Sequence, residues 1–411
     1  MVIIIGAGMA GLTCAHYLQQ QGTPFVVLEA SDGVGGRLRT DRVDGFLLDR
    51  GFQVFQTGYP EAKPVLRYPE LGLQPLPSGA RIRTGKTFFN MPNPLRNWAG
   101  APEALMAPVG GFSDKLRVLK LQGSTRNAPA PSYDDANAGL ETTGDYLRRY
   151  GFSEKMIARF FKPFFRGVFL ERALDTDAAL FRFLFHQFAT ADVALPENGI
   201  GAVAEQLAAG LAPEQLRLRT PVQKIEGKRV FLADGTVLEG TTIVIATEAS
   251  TAAGLLGKTP NARFNHTDCL YFYSEQPLPK SGAPYLIINS NNNEIIDHIM
   301  PLSDAVPSYA PAGKTLISVS LVGKGHIPDA ELTEKVQAEL VEWFGPQTTW
   351  HHLKTYRIKE ALPAYLTGKT NVTPQKINDY TFCCGDYTAY PSLNGAMESG
   401  RKVAEMYSAN L

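Results

Sequence analysis

The sequence predicts an α/β protein in which a domain built on a buried parallel sheet is interrupted by a second domain of α+β type. Val2 to Ile5 is a short, wholly apolar β-branched run, the pattern of a strand covered on both faces. Gly6, Gly8 and Gly11 follow it at once and open a helical stretch. The chain, at 411 residues, is too long for one small core, and its α/β alternation stops near Arg81.

In the opening unit Gly6 permits a tight turn, Gly8 lets backbone approach a pyrophosphate, and Gly11 lets the helix lie close to the strand. The helix is predicted from Met9 to Gln21, with Ala10, Cys14, Tyr17 and Leu18 facing inward and Gly22 placed to stop it. Its first turn, with Met9 and Ala10, offers free N–H groups to phosphate. Phe25 to Leu28 is the second strand, and Glu29 at its tip stands eighteen residues after Gly11, near the spacing of an acid that binds an adenosine ribose. Strand, turn, helix and acid together predict a Rossmann-type dinucleotide site rather than a glycine turn of some other α/β protein.

The run Ala30-Ser31-Asp32-Gly33-Val34-Gly35-Gly36-Arg37-Leu38-Arg39-Thr40 resembles the second fingerprint of the flavin-containing amine oxidoreductase family, which includes monoamine oxidases, protoporphyrinogen oxidases and phytoene desaturases. The resemblance implies FAD, with Ala30, Gly36, Arg37, Leu38 and Arg39 along it. Paired glycines expose backbone amides, and an arginine adds a planar donor fork suited to phosphate. It also implies the glutathione reductase-like FAD fold, with residues 1–80, 205–262 and 376–411 as the FAD-binding domain. Residues 81–204 and 263–375 are then the substrate domain.

Charge is balanced at 40 basic against 40 acidic residues, which gives no overall pull toward nucleic acid or an anionic membrane. Cys14, Cys269 and the adjacent Cys383-Cys384 form neither a disulfide framework nor a zinc spacing, and no metal is expected. A reducing cytoplasm fits. A strand beginning at Val2 leaves no room for a leader within this sequence, and no apolar run approaches membrane-spanning length.

Phe46 to Phe55 and then Thr57-Gly58-Tyr59-Pro60 resemble a plant-type phytoene desaturase segment, which implies that Gly51, Phe52 and Gln53 lie beside the flavin ring. Met91 to Gly111 reads as an irregular segment, and Phe88 to Leu95, Trp98, Leu105, Met106 and Val109 as domain core in preference to the membrane contact that the resemblance implies for this region. Helices are expected from Ser113 through Leu121, over Leu140 to Gly151 and over Phe152 to Phe165. The dense phenylalanines from Phe160 to Phe188 are core, with a minority free to line a pocket for a large apolar molecule. His186 among them reads as a core histidine rather than a base, since no partner acid is evident.

Ala202 to Ala209 is expected as a helix, Leu216 to Thr220 and Val222 to Ile225 as strands, Val230 to Leu238 as a hairpin and Thr242 to Ala246 as a buried strand. By resemblance the backbone of Val222 meets the adenine, and the strand ending near Thr247 passes the pyrophosphate. Leu270 to Tyr273, Tyr285 to Asn289, Ile295 to Met300 and Thr315 to Val322 alternate like antiparallel strands, and Asp329 to Phe344 is an amphipathic helix. His351-His352 on a strand point opposite ways, so they cannot share a metal. Lys359 to Tyr365 resembles a family segment that nears the flavin, which makes Tyr365 a pocket candidate.

The strand Tyr380 to Cys384, then Gly385-Asp386 and the run from Ser392, Leu393 and Asn394 through Gly395 and Ala396 into a terminal helix, resembles the family's closing motif. The resemblance implies that Asp386 contacts the flavin and that the helix start stabilises negative charge on it. Ser392 stands where amine oxidases carry a cage tyrosine, and the cysteine that tethers flavin in monoamine oxidases is absent. Non-covalent FAD is therefore expected and a primary amine is disfavoured, and the substrate class implied by the resemblance as a whole is a small apolar molecule, a polyene, tetrapyrrole or amine. No second nucleotide fingerprint is present, because Gly199-Ile200-Gly201-Ala202 continues wrongly. Electrons would enter from substrate as hydride and leave to oxygen, a quinone or another acceptor. A redox-neutral polyene isomerase and a non-catalytic flavin-binding protein remain alternatives, and the oligomeric state is left open.

Overall fold

The fold is described from a computed structural model. It covers residues 1–94, 96–126, 128–131, 140–259, 262–279, 282–325, 327–368 and 375–409, so Leu95 of the apolar stretch lies outside it. Three distant parts of the chain build one parallel sheet, ordered Leu216–Arg217, Phe25–Leu28, Val2–Ile5, Thr242–Ile245 and Thr381–Cys383. Its strands are apolar throughout because both faces are covered. Ile3, Ile5, Ile243 and Cys383 pack with Val230 and Leu232 on one side, whereas Val2, Ile4, Val244 and Cys384 face the helices on the other. Neighbouring Cys383 and Cys384 thus fall in different cores.

The helix Met9–Gln20 and the terminal helix Leu393–Ala409 lie together on that second face. Their contact needs Gly400, since a Cβ there would come 2.2 Å from the Ala10 carbonyl oxygen. The expected hairpin at Val230 is the centre of a three-stranded sheet, Val222–Glu226, Arg229–Leu232 and Val237–Glu239.

The second sheet has seven strands, in the order His351–Pro363, Phe264–Ser274, Thr315–Val322, His298–Pro301, Leu286–Asn289, Gly79–Thr84 and Thr87–Pro92. Two points differ from the sequence expectation. Part of the irregular stretch is a strand, Thr87–Pro92, and Gly79–Thr84 pairs in parallel with Leu286–Asn289. The physical reason is that these neighbours are brought together across about 200 residues of chain, so no tight turn sets their direction. Alternation along the strands gives the sheet two faces. Leu270, Phe272, Ile317, Val319 and Leu321 meet Leu332, Val336, Leu340 and Phe344 of the helix Asp329–Phe344. Tyr271, Met300 and Leu316 turn the other way, toward Phe46 and Leu48.

The helices between the sheets carry the aromatic cluster. Thr142 caps Thr143–Arg149 by accepting from the Asp145 amide, and Ser153 caps the next helix by accepting from the Met156 amide. That second helix contains a π-helical turn, Ile157–Phe161, before continuing as Lys162–Phe169. Phe181, on Ala178–Thr190, is fully buried, its ring centroid 4.8 Å from that of Phe165 and 5.4 Å from that of Phe185. The preceding stretch is not all core. Val109 and Leu121 are buried, but Leu105, Met106, Phe112 and Leu116 on Ala101–Met106 and Phe112–Ser124 are exposed, Met106 by 83%. The helix Phe112–Ser124 has apolar residues on more than one side, and a neighbour covers only one of them. Among the described residues, no helix is long and apolar enough to cross a membrane.

Candidate cofactor and substrate site

One cavity of about 690 Å³ runs between the two sheets and is walled by residues of both. One end is made of backbone. Gly6, Gly8, Met9 and Ala10 line it with Glu29, Ala30, Gly36, Arg37 and Leu38. Gly6 has φ +107°, and a Cβ on it would meet the Ala246 carbonyl oxygen at 2.7 Å. A Cβ on Gly8 would meet nothing within 4 Å, so that position faces open space. The second glycine turn closes onto the first, with the Gly35 amide donating to the Ala7 carbonyl at 2.8 Å. The helix Met9–Gln20 has no side-chain cap, which leaves its first amides to the cavity. Such a cradle fits a pyrophosphate.

Glu29 is fixed at its strand tip, where its carboxylate accepts from the Ala7 amide (2.8 Å) and from the Ser31 amide and hydroxyl. Val222 and Thr247 line the same end, with Thr220, Pro221 and Glu248. Glu248, which sequence reasoning missed, has its carboxyl pushed up by burial and by Glu360, with Arg37 opposing. Its signal was an acid three residues beyond the strand Thr242–Ile245.

Arg37 joins the second fingerprint to the closing motif. Its guanidinium donates to Asp386 at 2.7 Å and to the Ala361 carbonyl at 2.8 Å. The Asp386 side chain is buried whereas that of Arg37 is 33% exposed, so loss of Arg37 would leave a buried carboxylate unpaired. Gly51, Phe52, Gln53, Gly385, Asp386, Ser392, Leu393 and Ala396 all reach the cavity. Gln53 donates to the Arg37 carbonyl (2.8 Å), and the Ser392 hydroxyl accepts from the Gly395 amide (2.8 Å), which holds the start of the terminal helix.

Four expected residues stand behind the wall. A Cβ on Gly11 would lie 2.1 Å from the Gly6 carbonyl oxygen, so this glycine serves packing. Arg39 turns to Asp32 and Ser31, bracing the loop. Asn394 donates to the Tyr390 hydroxyl and accepts from the Glu61 amide. Tyr365 is buried, with its carbonyl accepting from the Asp177 amide.

The other end is made of side chains. Phe160, Phe164, Phe165, Phe185 and Phe188 line it with Met91, Val118, Val168 and Leu184. Phe160 lies on the π-helical turn Ile157–Phe161 and Phe164 on the helix that continues from it. His186 does not line it, but His298 does. The His298 Nε2 donates to the Pro163 carbonyl (2.8 Å), and burial holds its imidazole below the usual value, so the ring is neutral.

The chain matches the flavin containing amine oxidoreductase family over residues 9–406. It belongs to that family. Family membership implies a flavin cofactor and the oxidoreductase class. Among relatives, it is 26% identical over 275 residues to a 15-cis-phytoene desaturase of Capsicum annuum, covering 60% of this chain and 46% of the relative. It is 22% identical over 380 residues to the coproporphyrinogen III oxidase of Bacillus subtilis, covering 79% and 77%. The chain therefore spans about half the length of the phytoene desaturase it matches. An oxidoreductase from Methanosarcina mazei shares the fold at TM-score 0.75 and 16% identity, covering 98% of this chain and 99% of that one.

Proposed function

We propose that this protein is an FAD-dependent oxidoreductase that removes hydride from an apolar small molecule, a polyene, tetrapyrrole or amine. The observation that carries the reading is the single cavity, continuous from a glycine-built phosphate cradle to an aromatic chamber. When bound, FAD would supply a two-electron acceptor. Gly8, Gly36 and the first turn of Met9–Gln20 would hold its pyrophosphate, Glu29 its ribose, and Val222 its adenine side. Gly51, Phe52 and Gln53 would lie beside the ring, near the start of the terminal helix at Ser392, Leu393 and Ala396, whose amides favour negative charge. The chamber would position the substrate, and positioning is a large contribution that side chains without a strong acid or base can make. Cysteines are not among the described cavity residues, which supports non-covalent binding.

Electrons would pass on to oxygen, a quinone or another acceptor. The exposed Leu105, Met106, Phe112 and Leu116 favour peripheral contact of this face with a membrane, from which an apolar substrate could enter. The test is anaerobic bleaching of the flavin band by polyenes, tetrapyrroles and amines offered separately. Bleaching by one class identifies the donor. Failure of every class, with isomerised polyene formed in the same tubes, would replace hydride removal by redox-neutral isomerisation.

A further inference from the structure

Gln56 is 2% exposed and lines the cavity, yet neither its Nε2 nor its Oε1 has a hydrogen-bond partner. Gln122, on the helix Phe112–Ser124, lines the same cavity and also has a buried Oε1 without a partner. A buried carboxamide left unpaired costs free energy, and such groups are rare in folded proteins. Gln56 belongs to the chamber end. Its strand, Phe55–Gln56, pairs with Val193–Pro196, and Gln56 stands opposite Val193, which itself lines the cavity just after the aromatic helix Ala178–Thr190. An apolar side chain there would leave no polar atom unpaired, so the carboxamide calls for a ligand group that pairs with it.

We propose that Gln56, aided by Gln122, is a specificity contact that selects an oxygenated substrate: a largely apolar skeleton carrying a hydroxyl, rather than a bare hydrocarbon. The Gln56 carboxamide offers N–H donors and an acceptor oxygen, and a single hydroxyl can engage both by accepting from Nε2 and donating to Oε1, while Gln122 adds a further acceptor. The aromatic wall takes the skeleton. This deepens the oxidoreductase reading and rests on it for the substrate's place in the chamber, but it is tested by binding rather than by turnover.

The flavin-loaded full-length protein is titrated with retinol and with its deoxy hydrocarbon, with quenching of protein fluorescence as the signal. Retinol should bind at least about 10-fold more tightly, and Gln56→Leu should bring the two ligands to within about twofold. The same substitution should raise the melting temperature of the ligand-free protein, because it removes an unpaired buried amide, and should leave flavin content and visible spectrum unchanged. Gln56→Met, unbranched like glutamine, repeats the test should leucine not fit. Equal affinity for the two ligands, no binding of either, or a lowered melting temperature in both variants would overturn the proposal. Loss of flavin or a shifted flavin spectrum would also overturn it, because the carboxamide would then serve the cofactor. Preferential retinol binding without bleaching by any substrate class would leave this contact standing and remove only the hydride-transfer reading.

Discussion

The two ends of the cavity are built on opposite principles. At the glycine-built end the wall is backbone, and the decisive residues are those with no side chain: Gly6, Gly8 and Gly36, all near the start of the sequence. At the chamber the wall is side chain, drawn from Gln56, Met91, Val118, Phe160, Phe188 and His298, which lie on separate elements of both halves of the chain. The first surface is specified by local conformation and tolerates little change. The second is specified by packing, so its shape can be retuned by substitution while the fold persists.

The largest test of this contrast lies inside the cradle. Gly11→Ala would place a Cβ 2.1 Å from the Gly6 carbonyl oxygen, whereas at Gly8 it would meet nothing within 4 Å. Gly11→Ala should therefore abolish flavin binding and leave little folded protein. Gly8→Ala should retain the ligand-free melting temperature but lose flavin occupancy. Expression, melting and flavin content distinguish the two, and equal damage from both would contradict the division between packing glycine and ligand-facing glycine.

In the aromatic region the same division separates core rings from lining rings. Phe181 is fully buried and does not line the cavity, so Phe181→Ala should cost about 3–5 kcal/mol in chemical denaturation. Phe188→Ala, at a half-buried wall position, should cost less and instead change which substrates bleach the flavin.

A third test falls where the two sheets meet. Asp49 is buried, accepts from the Thr40 hydroxyl (2.6 Å), the Ile200 amide (2.9 Å) and the Tyr309 hydroxyl (2.9 Å), and has its carboxyl pushed up by burial to about 6 despite those bonds. A folded value above the unfolded one means the folded state binds the extra proton. This group's contribution to stability should therefore fall as pH rises from about 4 to 6, by roughly 3 kcal/mol, and Asp49→Asn should flatten that slope. Denaturation midpoints across that range read it. A slope unchanged in Asp49→Asn would assign the titration elsewhere.

The smallest effect on stability is expected at the exposed patch. Met106→Ser with Phe112→Ser should change stability by no more than about 0.5 kcal/mol per site. Sedimentation with lipid vesicles should nonetheless drop. Unchanged sedimentation would detach this face from any membrane role.

Much was legible in the sequence because its information was local. Gly6, Gly8 and Gly11, the acid at Glu29 and the paired glycines before Arg37 all lie in one strand–helix–strand unit at characteristic spacings, so their pattern is visible without a fold. The helix Asp329–Phe344 was legible from its period alone. Other features carried no such pattern. Arg37 and Asp386 are 349 residues apart, and nothing near either indicates the other. That Gly11, Arg39, Asn394 and Tyr365 stand behind the wall depends on partners such as Asp32 and Glu61, which only the folded chain brings close.

By itself the sequence determined the α/β start and the glycine turns beside it, since turns and short-range periodicity follow from backbone sterics, and the resemblance of residues 30–40 pointed to the flavin family. Tertiary structure alone decided that Gly79–Thr84 joins the second sheet in parallel, that His298 and Gln56 face the chamber, and that Leu105, Met106 and Phe112 stay uncovered. Apolar residues read alike in sequence whether a neighbour covers them or not. Burial belongs to the packed molecule, because it depends on which distant surface arrives.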